Sequence, residues 1–285
     1  MRRVSLLPIA LVVVCVYGEG LALEKGHILL TPNPYCFSHQ FNYYNLGKDL
    51  VKIGYRVSVL RFLPDEESDL KMMAKIPSEF QTIDVKGQLS SHALRRDWNL
   101  AADRHMWQTD AAFRADALDA MISVGIPTIM SPIRDLINDC ESVERLRSEN
   151  FTLIIVDQTL QIWTYILANQ LDTPYILFTI GIDLLLSDRA IGNPTVVSYV
   201  PDVSTSGYTN RMSYLQRVDN ALASGIFSGF AYYKAIELYT EITSDWRNAA
   251  SQPEFALRMS HDFFDFPRPK TPANVYVGRK NRNKE

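Results

Sequence analysis

Gly26-His-Ile-Leu-Leu-Thr-Pro-Asn-Pro-Tyr-Cys-Phe-Ser-His39 is the stretch whose reading decides the fold. Its first half is a short apolar run that stops at Pro32, as a buried strand does when it gives way to a loop. Its second half opens a helix: Ser38 suits an N-cap, and Phe41, Tyr44, Leu46, Leu50 and Ile53 recur at roughly helical spacing. Gly54 then stands where a C′ glycine ends a helix, and Arg56-Val-Ser-Val-Leu60 reads as the next strand. Strand, helix and strand in about thirty residues make a βαβ unit, whose crossover is right-handed over a parallel sheet.

Further along, the same alternation continues. Gln81 to Val85 is a weaker strand, Pro64 to Lys75 is charged and predicts a short helix beside a loop, and Gly87 to Trp98 reads as irregular. Leu100 to Val124 predicts one helix or two, and Ser131 to Glu149 another, with Pro132 at its first turn. Phe151-Thr-Leu-Ile-Ile-Val156 is the strongest strand, because a continuous β-branched run marks a strand buried on both faces. It ends in Asp157, and a helix over Leu160 to Gln170 and a strand over Pro174 to Thr179 follow. Gly192 to Gly207 is rich in turns. Arg211 to Thr243 predicts a long amphipathic helix with Met212, Leu215, Val218, Leu222, Ile226 and Phe227 on one side. Phe266 to Pro272 reads as an extended proline segment and Asn274 to Gly278 as strand-like. The expected class is α/β, a Rossmann-like doubly wound parallel sheet.

Composition narrows the function. The chain has 285 residues, a net charge of −3 and 47% hydrophobic residues, so nothing points to nucleic acid. Its one basic cluster, over Arg279 to Lys284, reads as a solvated tail at residues 279–285. Arg2 and Arg3 before the apolar run Val4 to Tyr17, with small residues at 18, 20 and 22, predict a secretory signal over 1–22. That run is short of the ~20 residues a bilayer span needs. No later run reaches that length, so no membrane span is expected in the mature chain, which runs as one domain over 23–278. The expected location is the secretory pathway, the endoplasmic reticulum lumen or, without an anchor, the exterior. Cys15 falls in the leader, and whether Cys36 and Cys140 pair is open. Asn150-Phe-Thr152 is a usable N-glycosylation sequon, whereas Asn193-Pro-Thr195 is blocked by its proline.

Two residues stand out as chemistry. His39 sits in the first turn of the first helix, where exposed N–H groups carry partial positive charge and favour the neutral ring that accepts a proton. Such a base needs an orienting carboxylate, and Asp157 lies at the carboxyl end of the central strand, on the same edge of the sheet. Position alone leaves a second reading open, with His39 a surface loop residue and Asp157 a helix cap. His27 falls at the opposite edge, and His92, His105 and His261 form no metal-ligand spacing. Neither a phosphate-binding glycine loop nor a GxSxG elbow occurs, and the four tryptophans, Trp98, Trp107, Trp163 and Trp246, read as core or pocket walls.

Several runs together resemble the animal UDP-glucuronosyltransferases, within the wider UDP-glycosyltransferase family. They are Ile28 to His39, Asn45 to Val59, Phe151 to Asp157, Gly192-Asn-Pro194 with Ser198-Tyr-Val-Pro201, Arg211 to Val218, Phe266-Pro-Arg-Pro269 and Asn274 to Gly278. The resemblance implies a GT-B architecture, in which an N-terminal Rossmann-like domain binds a lipophilic acceptor and a C-terminal one binds the UDP-sugar cosubstrate. By the same resemblance His39 is the catalytic base, Asp157 orients it, and the sugar is transferred to an acceptor hydroxyl with inversion. Leu63 to Met130 falls where the family builds its acceptor pocket. Arg279 departs from the family's second glycine at that point. The expectation is therefore an acceptor-binding half, with the donor domain and membrane helix beyond it absent, inactive by itself. The alternative is a stand-alone lipophilic-ligand-binding protein, or a subunit that pairs with a full-length transferase.

Overall fold

The computed structural model describes residues 25–33, 37–64, 74–89, 135–157, 161–180, 191–194, 196–201, 208–242, 253–259 and 269–277. Its seven strands are β1 (His27–Thr31), β2 (Arg56–Pro64), β3 (Gln81–Leu89), β4 (Leu153–Asp157), β5 (Tyr175–Ile180), β6 (Ala256–Met259) and β7 (Asn274–Tyr276). They form one sheet in the order β3-β2-β1-β4-β5-β6-β7, with every neighbouring pair parallel. The chain starts in the middle, walks outward through β2 and β3, then returns to the other side of β1 and walks the opposite way. Right-handed crossovers in opposite directions put their helices on opposite faces. Accordingly α1 (Phe37–Lys52) packs Tyr43, Tyr44 and Leu50 on the face with Ile28, Leu30 and Ile155. On the other face, α2 (Cys140–Ser148) and α3 (Gln161–Gln170) pack Val143, Leu146, Ile166 and Leu167 against Leu29, Ile154 and Val156. The fold is the expected α/β doubly wound parallel sheet.

Burial explains why the two central strands read so clearly. All five residues of β1 and of β4 are buried, so their middles are continuous apolar runs and polar residues stand only at the strand ends. Each buried aliphatic side chain contributes about 1.5–3 kcal/mol. Helix α1 ends in a Schellman motif: Gly54 takes φ +97, its N–H donates to the Val51 carbonyl, and the Tyr55 N–H donates to the Leu50 carbonyl. Its seat on the sheet is tight. A Cβ at Gly47 would lie 2.7 Å from Phe80 Cζ and 2.9 Å from Leu30 Cδ1.

Five sequence expectations are corrected. Helix α1 begins at Phe37, so Ser38 lies in its first turn rather than at the cap, a one-residue difference of the kind helix ends show. Its inward stripe is Gln40, Tyr43, Tyr44, Gly47 and Leu50, while Phe41 is exposed. β2 and β3 run longer than expected, to Pro64 and Leu89, because they pair with each other over that length, with a register shift at Leu63/Pro64. The helix expected to end at Glu149 is interrupted at Asp139, which takes extended angles (φ −88, ψ 94) and accepts the Glu141 N–H as the N-cap of α2. In α4 (Tyr214–Ile242) most of the apolar side faces out: Leu215, Val218, Leu222 and Ile226 are exposed, whereas Met212 just before the helix and Asn220 and Ser224 within it are buried. Asn220 Nδ2 donates to the Val197 and Val200 carbonyls, so hydrogen bonding to the turn segment decides which side faces inward.

Strand β6 has no counterpart in the sequence reading. Cys140 is exposed with a free thiol. The leader expected at 1–22, the helix or helices expected over 100–124, Ser131, Cys36, His92, His105, His261, Trp98, Trp107, Trp246, Phe266 to Arg268 and the tail expected at 279–285 lie outside the described residues. Among the described residues no helix is long and apolar enough to cross a membrane.

Candidate active site

The strand order reverses between β1 and β4, and in open α/β sheets ligands sit outside the carboxyl ends of the strands at that point. Thr31, the last residue of β1, registers with Val156, so Asp157 lies one residue beyond it at the end of β4. Alternation along β4 puts Asp157 on the same face as Leu153 and Ile155, which is the face α1 covers. The first turn of α1 brings His39 over it.

The contact is direct. His39 Nδ1 lies 2.7 Å from Asp157 Oδ2, joining residues 118 apart in sequence. The Asp157 side chain is 0% exposed and that of His39 15%. A carboxylate can only accept, so Nδ1–H donates, and in the neutral ring the lone pair is on Nε2. The Asn33 backbone N–H donates to the same carboxylate oxygen at 3.3 Å. A buried carboxylate is costly unless hydrogen-bonded, and both donors help meet that need. Thr31 Oγ1 ties the end of β1 to the Ile155 carbonyl.

Behind the pair stands Tyr43, one turn further along α1 and fully buried. Its hydroxyl donates to the Phe178 carbonyl at 3.2 Å, and the two rings meet edge to face with centroids 5.0 Å apart. Burial first, and the Asp157 charge second, hold its phenol well above the usual range, so it stays a protonated donor. Phe178 registers with Asp157 across β4 and β5. Gln40 is also buried. Its Oε1 accepts the Ala74 N–H at 2.8 Å and its Nε2 donates to the Asn33 carbonyl at 3.4 Å.

The structure thus brings His39 and Asp157 together, as sequence position and resemblance anticipated. Asn33, Gln40 and Tyr43 were missed. The signal for Gln40 was available: it takes an inward position on α1 where an apolar residue is the norm. Asn150, the sequon residue, is elsewhere, exposed in the turn between α2 and β4 with φ +50.

His27 occupies the amino edge of the same sheet. Its Nε2 is 2.6 Å from Ser58 Oγ, and its Nδ1 is 2.6 Å from an Arg56 guanidinium nitrogen and 3.0 Å from the Glu149 carbonyl. Nδ1 cannot both accept from Arg56 and donate to that carbonyl. Arginine only donates, so Nδ1 accepts, Nε2–H donates to Ser58, and the ring is neutral. Burial is the main force holding the pKa of His27 below its ordinary value. The Arg56 charge acts in the same direction, while the Glu149 backbone and carboxylate oppose it. Among the described residues no cluster of histidine, cysteine and carboxylate groups could hold a metal.

A family model described as UDP-glucoronosyl and UDP-glucosyl transferase matches residues 26–285. UDP-glucuronosyltransferase 2C1 of Oryctolagus cuniculus is 26% identical over 253 residues, which cover 85% of this chain and 49% of that protein. UDP-glucuronosyltransferase 1A1 of Rattus norvegicus is 26% identical over 284 residues, covering 96% of this chain and 50% of that protein. The chain thus spans about half the length of the curated relatives it matches. Among solved structures, a UDP-glucosyltransferase from Polygonum tinctorium in complex with 3,4-dichloroaniline is 12% identical, with a TM-score of 0.44 over 88% of this chain and 51% of that one.

Proposed function

Since the chain belongs to the UDP-glucuronosyl and UDP-glucosyl transferase family, we propose that it is the acceptor-binding half of an inverting UDP-sugar transferase of GT-B architecture. The observation that carries this reading is the His39–Asp157 pair at the switch point of the sheet. In the reaction Nε2 of His39 removes the proton of an acceptor hydroxyl. The oxygen attacks the anomeric carbon of the UDP-sugar from the face opposite the nucleotide. The new carbon–oxygen bond forms as the bond to phosphate breaks, UDP leaves with the electron pair, and the configuration inverts. Asp157 stabilises the imidazolium that results and fixes the ring so that Nε2 faces outward. The substrates are a UDP-glucuronic acid or UDP-hexose donor and a small lipophilic phenol, steroid or similar acceptor. The acceptor would be held over residues 63–130, most of which lie outside the described residues.

The test has two arms. The chain alone, and the chain joined to the second half of a full-length relative, are incubated with UDP-sugars and a panel of lipophilic phenols. Glycoside formation by the joined protein that His39→Ala abolishes supports the reading. Turnover that survives His39→Ala overturns it. Acceptor binding without turnover in either arm favours the stand-alone binding protein or the subunit that pairs with a full-length transferase. The leader at 1–22 supports passage through the secretory pathway to the endoplasmic reticulum lumen. There Asn150, at the edge of the sheet opposite His39, would carry a glycan. An endoglycosidase mass shift that Asn150→Gln removes is the expected result.

A further inference from the structure

We propose that Gln40 is a positioning residue for the His39–Asp157 pair, acting through the Asn33 backbone; this rests on the reading of His39 as the base. The juxtaposition is a closed relay. The Gln40 side-chain amide donates to the Asn33 carbonyl at 3.4 Å, the Asn33 N–H donates to Asp157 Oδ2 at 3.3 Å, and that same oxygen receives His39 Nδ1 at 2.7 Å. The relay returns to its start, because His39 and Gln40 are neighbours in the first turn of α1.

Three features make it a positioning device rather than ordinary packing. First, Gln40 is 2% exposed on the sheet-facing stripe of α1, where it shares the inward side with Tyr43 and Leu50. An amide buried there costs about 1–3 kcal/mol unless it is paired, and an isosteric leucine would avoid that cost. Second, the segment it holds is unusually limited. Asn33 lies between Pro32 and Pro34, so in residues 32–34 the Asn33 N–H is the sole backbone donor. A residue before proline is also confined to extended angles. Where Gln40 fixes the Asn33 carbonyl, the N–H on the same residue has little freedom left and is held toward Asp157. Third, Oε1 of Gln40 accepts the Ala74 N–H at 2.8 Å. The same amide therefore anchors the loop after β1 to the chain entering at residue 74, and the carboxylate does not depend on the loop alone. Without Gln40 the Asn33 N–H can turn away, Asp157 loses a backbone donor, and the carboxylate is freer to rotate under His39.

The experiment reads the imidazole itself, in the full chain. The five histidines are ring-labelled with ¹⁵N, and the tautomer of His39 is followed in wild type, Gln40→Leu, Gln40→Glu and Asp157→Asn. His39→Ala assigns the signal, and His27 at the far edge is the internal control. Wild type is expected to show His39 held as the Nδ1–H tautomer. Gln40→Leu is expected to shift its nitrogens toward the averaged values of an exchanging ring, with His27 unmoved. A purely packing role for Gln40 would lower the melting temperature and leave the His39 signals in place, which would overturn the proposal. If Gln40→Leu does not fold, Gln40→Glu decides in the same way: ionised, its side chain still accepts from Ala74 but cannot donate to Asn33. Should Asp157→Asn leave His39 unchanged, it is the reading of the pair that falls. Should Asp157→Asn move His39 while both Gln40 variants do not, the relay alone falls.

Discussion

His27 opens β1 and His39 follows it, and the two show what separates a histidine held on both ring nitrogens from one held on a single nitrogen. Both nitrogens of His27 are engaged within 3.0 Å, and the residue is 4% exposed. His39 engages only Nδ1 among the described residues, with a group that can only accept, and its side chain keeps 15% exposure. Exposure differs between the two, but the partners differ more. What matters is whether the partners consume both nitrogens or set one and spare the other. At the amino edge, cation, serine and backbone close around the ring. At the carboxyl edge, a carboxylate fixes the tautomer and leaves Nε2 its lone pair.

The largest expected effect tests the reactive side. In a complete transferase His39→Ala lowers kcat by about 10²–10⁴-fold, with the melting temperature little changed, whereas His27→Ala lowers stability and spares kcat. Rates and melts measured on both variants break the contrast if the two exchange roles. Next comes Asp157→Ala, which leaves the His39 Nδ1–H and the Asn33 N–H without their acceptor. It should cost activity together with about 1–3 kcal/mol of stability, read by urea unfolding. Gly47→Val sharpens the contrast by moving one side only. A Cβ there meets Phe80 and Leu30, so α1 is pushed from its seat and takes His39 with it. The expected cost is about 1–3 kcal/mol, with transfer impaired and the His27 cluster intact. The smallest effect is electrostatic. His27 has a lowered pKa when folded, so below its unfolded value of about 6.5 the unfolded chain binds more protons. The stability it contributes is complete above that pH and is lost as pH falls through the lowered folded value. His27→Gln should flatten the stability curve in that window, measured by denaturant midpoints at stepped pH.

How much of this was legible in the sequence varies by element. β1 and β4 were, because a strand buried on both faces carries an unbroken apolar run, here Ile28 to Leu30 and Leu153 to Val156. The pairing of His39 with Asp157 followed from topology: a parallel sheet puts the ends of its central strands on one edge, and the resemblance chose between the two roles left open. β6 was missed because four residues carrying Arg258 do not read as a strand; only β5 and β7 on either side make them one. Helix α4 misled for a related reason. Its periodicity was real, but a pattern does not say which side has a neighbour, and Asn220 found backbone acceptors that only the folded turn supplies. Asn33 was invisible because its partner is reached through a peptide group, which every residue possesses, whereas Gln40 left a trace as a polar residue at an inward position of α1.

The parallel pairing of β1 with β4 has a consequence during synthesis. β1 meets its β2 partners from residue 56 onward, but its other flank waits for residues 153–156. At about 5–20 residues per second on the ribosome, the 118 residues between His39 and Asp157 take about 6–24 s to appear. Throughout that interval one flank of a fully buried strand is an open edge, the condition under which nascent chains pair wrongly. Folding of this chain should therefore depend on whatever shields β1 until β4 emerges, and the orientation of His39 is completed only then.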